Sequence, residues 1–270
     1  MKLNLEKTRV KNLEIHITTH CTLNCRLCAN GIKYVKSQEH FPFEKLCNEI
    51  DLMFQLVDYT DKLEIMGGEP LLHPDLPEII EKVLEYSPQI GILRLPTNGT
   101  IIPSPNVIDT FLKNKKNVCK MEFLISHYGN LSYKAEQIIK LCKENEIYCR
   151  VDIYHGNDMY YGGWIDFGTD CNRLPKTTEE TLLLFSNCAC AKHGYAMFVK
   201  GKLYPCSASV LRLRSGLDKN IPGLIDLFDD APMESKRKQL MKYADNPYYV
   251  CQYCDGMNEN SKRYPGGEQK

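Results

Sequence analysis

Five short apolar segments, separated by amphipathic stretches, constrain this chain more than any other feature. Residues 13–18, 63–66, 90–95, 120–126 and 147–154 read as strands. Between the first two, Phe43, Leu46, Cys47, Ile50, Met53, Phe54 and Val57 fall on one helical face, so the spacing predicts a helix over 43–59. Leu76, Ile79, Ile80, Val83 and Leu84 repeat that spacing after Asp75, which the pattern makes a helix cap. Residues 107–112 and 135–142 give two shorter helices. The order βαβαβαβαβ predicts an α/β fold with a parallel sheet and crossover helices. Sheets of this kind bind ligands at the C-terminal ends of their strands. The residues just after each strand are therefore the first candidates for function.

Beyond Tyr154 the alternation stops. Residues 156–170 are rich in Gly, Tyr and Asp and read as a long loop. After Pro175, residues 196–199 and 202–204 flank Lys200-Gly201 as a hairpin, and 232–243 reads as a basic helix. The polar stretch from Asp255 reads as a loose tail. The expected division is 1–175 and 176–270, with no internal repeat. The 270 residues carry 34 Lys+Arg and 34 Asp+Glu, a balance that argues against a broad polyanion-binding surface and hence against a nucleic-acid partner. Residues 1–10 lack the apolar core of a signal peptide. No stretch approaches the roughly 18 uncharged apolar residues of a membrane span. The expectation is a cytoplasmic protein without a membrane partner.

Thirteen cysteines are many for such a chain. Where thiols are kept reduced, metal ligation explains them better than disulfides, provided the spacings support it. Cys21, Cys25 and Cys28 read C-x3-C-x2-C directly after the first strand. Three thiolates on one loop can take three irons of a [4Fe–4S] cube and leave the fourth iron open. Structural zinc is the alternative, although zinc usually takes paired C-x2-C knuckles and four ligands. A second group comprises Cys188, Cys190, Cys206, Cys251 and Cys254, the last two in C-x2-C spacing. Four soft donors of this kind suit an iron–sulfur cluster or zinc. Cys47, Cys142 and Cys149 lie on apolar faces as core residues, and Cys119 precedes a strand in a structural role. Cys171 lies in the loop on the substrate side. It is either a hydrogen-atom donor to a substrate radical or an ordinary thiol.

The segment CTLNCRLC resembles the cluster motif of the radical S-adenosylmethionine (SAM) superfamily. In that family the residue before the last cysteine is often aromatic and packs near adenine; here it is Leu27, which keeps an apolar contact. Gly67-Gly68-Glu69-Pro70 resembles the family's GGEP segment, which holds the SAM amino group. Thr97-Asn98-Gly99 resembles its TNG turn, and Ser126 matches a polar position that contacts SAM ribose or carboxylate. These motifs follow successive strands, and the likeness covers roughly residues 13–155. It implies an incomplete (βα) barrel, SAM as cofactor and a 5′-deoxyadenosyl radical as the reactive species. The C-terminal piece resembles the twitch domain, the short relative of the SPASM domain, which binds one auxiliary [4Fe–4S] cluster. The spacing of Cys188, Cys206, Cys251 and Cys254 resembles that of the aminocyclitol dehydrogenases of butirosin pathways and favours Cys188 over Cys190.

The resemblance implies an oxidoreductase that dehydrogenates a carbinol on a small sugar-like or aminocyclitol substrate, with the auxiliary cluster as electron acceptor. An external one-electron reductant such as flavodoxin or ferredoxin would supply the first electron. His127 or His155 is expected as the base that takes the hydroxyl proton. Arg94, Lys120, Arg150, Asp152, Tyr154 and Trp164 are further pocket candidates, and Tyr160, Tyr161 and Trp164 could stack on a sugar ring. The alternatives are a peptide-modifying enzyme that forms thioethers or epimerises residues, and a zinc-stabilised binding module. The short stretch before the first strand favours a small substrate.

Overall fold

The computed structural model describes residues 7–168 and 172–270. The chain runs β1 (Arg9–Thr18), α1 (Phe43–Leu56), β2 (Tyr59–Gly67), α2 (Leu76–Leu84), β3 (Ile90–Thr97), α3 (Pro105–Lys113), β4 (Lys120–His127), α4 (Ala135–Glu144) and β5 (Tyr148–Ile153). It continues through α5 (Thr178–Asn187), α6 (Ala189–Lys192), β6 (Tyr195–Val199), β7 (Lys202–Tyr204), α7 (Ser207–Arg214), β8 (Ile225–Asp226) and α8 (Met233–Met241).

Among the described residues one sheet holds all eight strands, in the order β5-β4-β3-β2-β1-β6-β7-β8. The first five strands are parallel neighbours, as the alternation predicted. The sheet stays open, with β5 and β8 at its edges. Leu13, Ile15 and Ile17 of β1 point to the helix side and are fully buried with Leu63, Ile65, Leu46, Ile50 and Met53. Each such side chain contributes roughly 1.5–3 kcal/mol by leaving water. Local chemistry fixes the helix starts. Ser104 Oγ accepts from Val107 N at 3.4 Å ahead of Pro105, and Thr177 and Glu180 form a reciprocal capping box on α5. Asp75 occupies the N-cap position of α2, but its side chain makes no capping bond; its N–H donates to His73 Nδ1 at 3.1 Å.

Two features differ from the sequence reading. The β6–β7 hairpin forms around Lys200 and Gly201, whose positive φ values of 50° and 72° suit the tight turn. Its first strand then lies parallel to β1, pairing Asn12–Ile15 with Tyr195–Phe198, so residues far apart in sequence extend the central sheet. The stretch from Asp255 is not loose. It pairs with Trp164 through Tyr264, then runs on to the loop after β1, where Gln269 bridges to Cys25. Its polar composition hid this, because backbone N–H and C=O groups make most of the contacts.

Candidate active site

The loop after β1 carries Cys21, Cys25 and Cys28, held by the turns after β2 and β3. Glu69 N donates to His20 O at 2.8 Å, Gly68 N to Thr18 O at 3.0 Å, and Asn30 Nδ2 to Gly67 O at 2.8 Å. Gly68 is needed because its backbone meets the cysteine loop. A Cβ there would run into the His20 carbonyl and stand 2.9 Å from Cys21 Cβ. Side-chain donors aim at the sulfurs: Asn98 Nδ2 lies 3.7 Å from Cys21 Sγ, and Gln269 Nε2 lies 3.3 Å from Cys25 Sγ. Burial pushes the Cys21 thiol up to about 12 and the Cys25 thiol to about 11. Bound metal has to displace those protons.

Glu69 is wholly buried. Its carboxylate accepts from Asn98 N at 2.8 Å and Leu71 N at 3.3 Å, which ties the β2 turn to the β3 turn. Burial raises its pKa to about 7 despite those bonds. Gly67, Gly68, Pro70, Leu27, Asn98 and Ser126 border one cavity of about 1270 Å³ together with Cys21, Cys25 and Cys28. The structure thus brings the candidate cofactor residues to a single space at the C-terminal edge of the sheet.

Beneath that edge lies a polar rung that sequence reading missed, apart from Arg94. Glu14, Glu64, Arg94 and Glu122 are register partners across β1 to β4, on the face opposite the apolar core. Arg94 Nη1 bonds Glu64 Oε1 at 3.1 Å and its Nε bonds Glu122. Glu14 lines the cavity, accepts from Tyr195 Oη, and leaves Oε2 without a hydrogen bond. Burial, and then the charge of Glu64, hold its carboxyl well above the usual range. The alternation Glu14, Glu64, Glu122 with Leu13, Leu63 and Phe123 was the available signal.

The two expected bases stand elsewhere. Strand alternation that turns Ser126 to the cavity turns His127 away. The His127 ring lies 4.7 Å from that of His155, Gly129 N donates to His127 Nδ1, and neither imidazole borders the cavity. Cys171 lies outside the described residues. Tyr154, Tyr160, Tyr161 and Trp164 do border the cavity, and Tyr128 and Tyr154 stack at 5.4 Å. Arg150 bonds Asp152 and Tyr160 Oη, each at 2.8 Å, while Lys120 is exposed.

The second thiol group gathers beside α6 and α7. Cys206, Cys188 and Cys251 each push up the Cys254 thiol electrostatically, after the larger effect of its burial. Burial lifts Cys206, and lifts Cys251 to about 12. A hydrogen bond from Cys190 instead lowers Cys188 to about 5, and Cys190 is raised in return. Gly256 N donates to Cys254 Sγ at 3.2 Å, and Ser209 Oγ lies 3.8 Å from Cys206 Sγ. Cys190, unlike Cys188, borders the cavity. Among the described residues no three His, Cys, Asp or Glu side chains close on one point to share a single ion. A cube does not ask for that, since each thiolate takes a different iron. Soft donors with N–H groups directed at sulfur fit an iron–sulfur cluster at the first group. Three buried thiols, Cys206, Cys251 and Cys254, with the half-buried Cys188 fit one at the second.

An open parallel sheet with thiols and a glycine turn gathered at its C-terminal edge is the site of a cofactor-dependent α/β enzyme. Residues 15–123 match the model of the Radical SAM superfamily, and the chain carries a radical SAM domain. Among curated proteins it is 34% identical over 105 residues to a probable GTP 3′,8-cyclase of Methanococcus aeolicus, covering 37% of this chain and 33% of that protein. It is 27% identical over 141 residues to a 7,8-dihydro-6-hydroxymethylpterin dimethyltransferase of Methanocaldococcus jannaschii, covering 48% and 27%. The chain therefore spans about a third or less of the length of these relatives. Among solved structures, BtrN in complex with AdoMet and 2-DOIA aligns over 96% of this chain and 98% of that one, at a TM-score of 0.56 and 15% identity. The enzyme anSMEcpe with bound AdoMet and the Cp18Cys peptide aligns over 96% and 92%, at 0.50 and 15%. At such identities these likenesses show the fold, the open partial barrel expected from the sequence. No helix among the described residues is long and apolar enough to cross a membrane.

Proposed function

We propose that this radical SAM enzyme dehydrogenates a carbinol of a small polar molecule and uses two iron–sulfur clusters. The observation that carries the reading is that two separate thiol groups lie at one cavity: Cys21, Cys25 and Cys28 border it directly, and Cys188, Cys206, Cys251 and Cys254 gather behind Cys190, which forms part of its wall. When bound, SAM and the first cluster would supply the 5′-deoxyadenosyl radical that takes a hydrogen atom from the substrate.

The chain's residues then have definite tasks. Cys21, Cys25 and Cys28 hold the first cluster. The backbone of Gly67-Gly68 offers close approach to the SAM amino group, and Leu27, Asn98 and Ser126 border its remainder. Glu69, already engaged by two backbone N–H groups, acts by fixing the turn that carries those glycines. Cys188, Cys206, Cys251 and Cys254 hold the auxiliary cluster, the sequence spacing favouring Cys188 over Cys190. With His127 and His155 away from the cavity, Glu14 is the better proton acceptor. It borders the cavity, its Oε2 takes no hydrogen bond and lies 3.5 Å from His16 Nε2, and burial holds its carboxyl well above an ordinary one.

The test is anaerobic reconstitution followed by assay on a panel of polyols, amino sugars and peptides. Two clusters are expected, with about half the iron left when Cys21, Cys25 and Cys28 are changed together to Ala. Reduced protein should cleave SAM to 5′-deoxyadenosine, and Gly68→Val should weaken SAM binding more than about tenfold, since the added side chain displaces the loop. Deuterium at the oxidised carbon should appear in 5′-deoxyadenosine, with product two hydrogens lighter. Zinc in place of iron sinks the reading. Product of unchanged mass makes the enzyme an epimerase, and turnover of peptides alone overturns the small-substrate assignment.

A further inference from the structure

The segment from Tyr264 to Lys270 lies as a strap across the three-cysteine loop. Trp164 and Tyr264 exchange backbone bonds of 2.8 Å in both directions. The strap then passes the aromatic group, where only glycine fits. A Cβ on Gly266 would stand 2.8 Å from Tyr154 Cβ, and one on Gly267 2.6 Å from Tyr128 Cδ1. Beyond the glycines it is fastened to the loop residue by residue. Arg26 N donates to Glu268 O at 2.7 Å, and Lys270 N to Asn24 O at 3.0 Å. The side chains of Arg26 and Glu268 pair at 2.7 Å.

Gln269 occupies the centre of this contact. Its Oε1 accepts from Asn24 N at 2.8 Å, and its Nε2 donates to Gly267 O at 2.6 Å and to Cys25 Sγ at 3.3 Å. A backbone N–H can only donate and a carbonyl can only accept, so these partners fix which end of the amide is nitrogen. The N–H therefore faces the sulfur and cannot be exchanged for the oxygen without losing both backbone bonds.

We infer that Gln269 is a positioning residue that sets the reduction potential of the SAM-binding cluster through an N–H···S bond to Cys25. This rests on the proposed ligation of that cluster by Cys25. Adding an electron to an iron–sulfur cluster increases the negative charge on its thiolates, and a donor held on one of them favours the reduced form. The strap's backbone bonds hold that donor in place and cover one side of Cys25, whose residue is only 8% exposed.

The experiment is an EPR-monitored redox titration of reconstituted full-length protein, following the cluster signal that changes when SAM is added. Gln269→Glu keeps the acceptor for Asn24 N and removes the donor to sulfur. Gln269→Leu removes both without adding charge. Both should lower the midpoint potential, shifting the reduction equilibrium by up to about tenfold, or ~59 mV for a one-electron couple. Iron content should stay at the wild-type level. Potentials equal to wild type in both variants, with full iron, overturn the inference and leave the ligation standing. Wild-type protein with no SAM-sensitive cluster overturns the ligation, and the inference with it. Should either variant lose iron, deleting residues 266–270 gives a second reading. An unchanged potential in the cluster it retains overturns the role, and a lowered one supports it.

Discussion

At the residue scale the sequence showed which side chains matter at the cluster edge more clearly than what each does. The three cysteines and the Gly67–Pro70 turn stand out because their chemistry is rare and their spacing tight. The GGEP-like turn offers Glu69 or a backbone carbonyl as the acceptor for a ligand ammonium; the Glu69 carboxylate borders the cavity and also accepts from the backbone N–H groups of Leu71 and Asn98. No local pattern announces this, because Asn98 comes from the next turn. The role has a pH signature. Burial raises the folded pKa of Glu69 from an ordinary 4.5 to about 7, so the folded state binds its proton more tightly than the unfolded chain. Stability from this group is full below pH 4.5 and is lost as pH rises through 7. The loss is about 3 kcal/mol for a shift of this size. Glu69→Gln cannot ionise. Its stability relative to wild type should therefore rise by about that amount between pH 4 and pH 8, in urea unfolding at matched metal content. A difference that stays constant with pH would show that Glu69 remains ionised in the fold.

At the scale of elements, the five parallel strands were legible because their helix-facing residues form continuous apolar series. Their polar face was not, since Glu and Arg inside a strand read as solvent-facing until a second layer covers them. The rung Glu64–Arg94–Glu122 requires three strands in fixed register, and register is set by pairing across crossovers. The ends of the strands also ran longer than the apolar cores suggested, as with β1 starting at Arg9. Arg94 sits between two buried carboxylates, so Arg94→Ala leaves Glu122 without its cation and Glu64 with Lys62 alone. The expected cost is about 3–5 kcal/mol. Arg94→Lys should recover only part, because one ammonium cannot span Nη1 and Nε contacts to two strands. Denaturant midpoints with unchanged m-values measure both. A loss under about 1 kcal/mol for Arg94→Ala would mean that water reaches the rung and screens it.

On the scale of the whole molecule, the hairpin and its thiols were readable as an appendage, but its attachment was not. The parallel pairing of β6 with β1 joins Asn12–Ile15 to Tyr195–Phe198, and nothing local in either segment specifies the other. Met197 and Phe198 are fully buried in the same apolar core as Leu13 and Ile15. The long loop and the strap add a second link, since Trp164 pairs with Tyr264. Elements sharing one sheet and one core lose their burial together, so the chain should unfold in one cooperative step. Trp164 is the sole tryptophan, which makes its fluorescence a local reporter of the loop and strap, while far-ultraviolet circular dichroism reports the helices and sheet. In urea the two transitions should coincide in midpoint and slope for metal-free protein. Fluorescence moving at lower urea would show that the strap releases first. Two separate steps in circular dichroism would show that the β1–β6 junction joins two independently folding bodies.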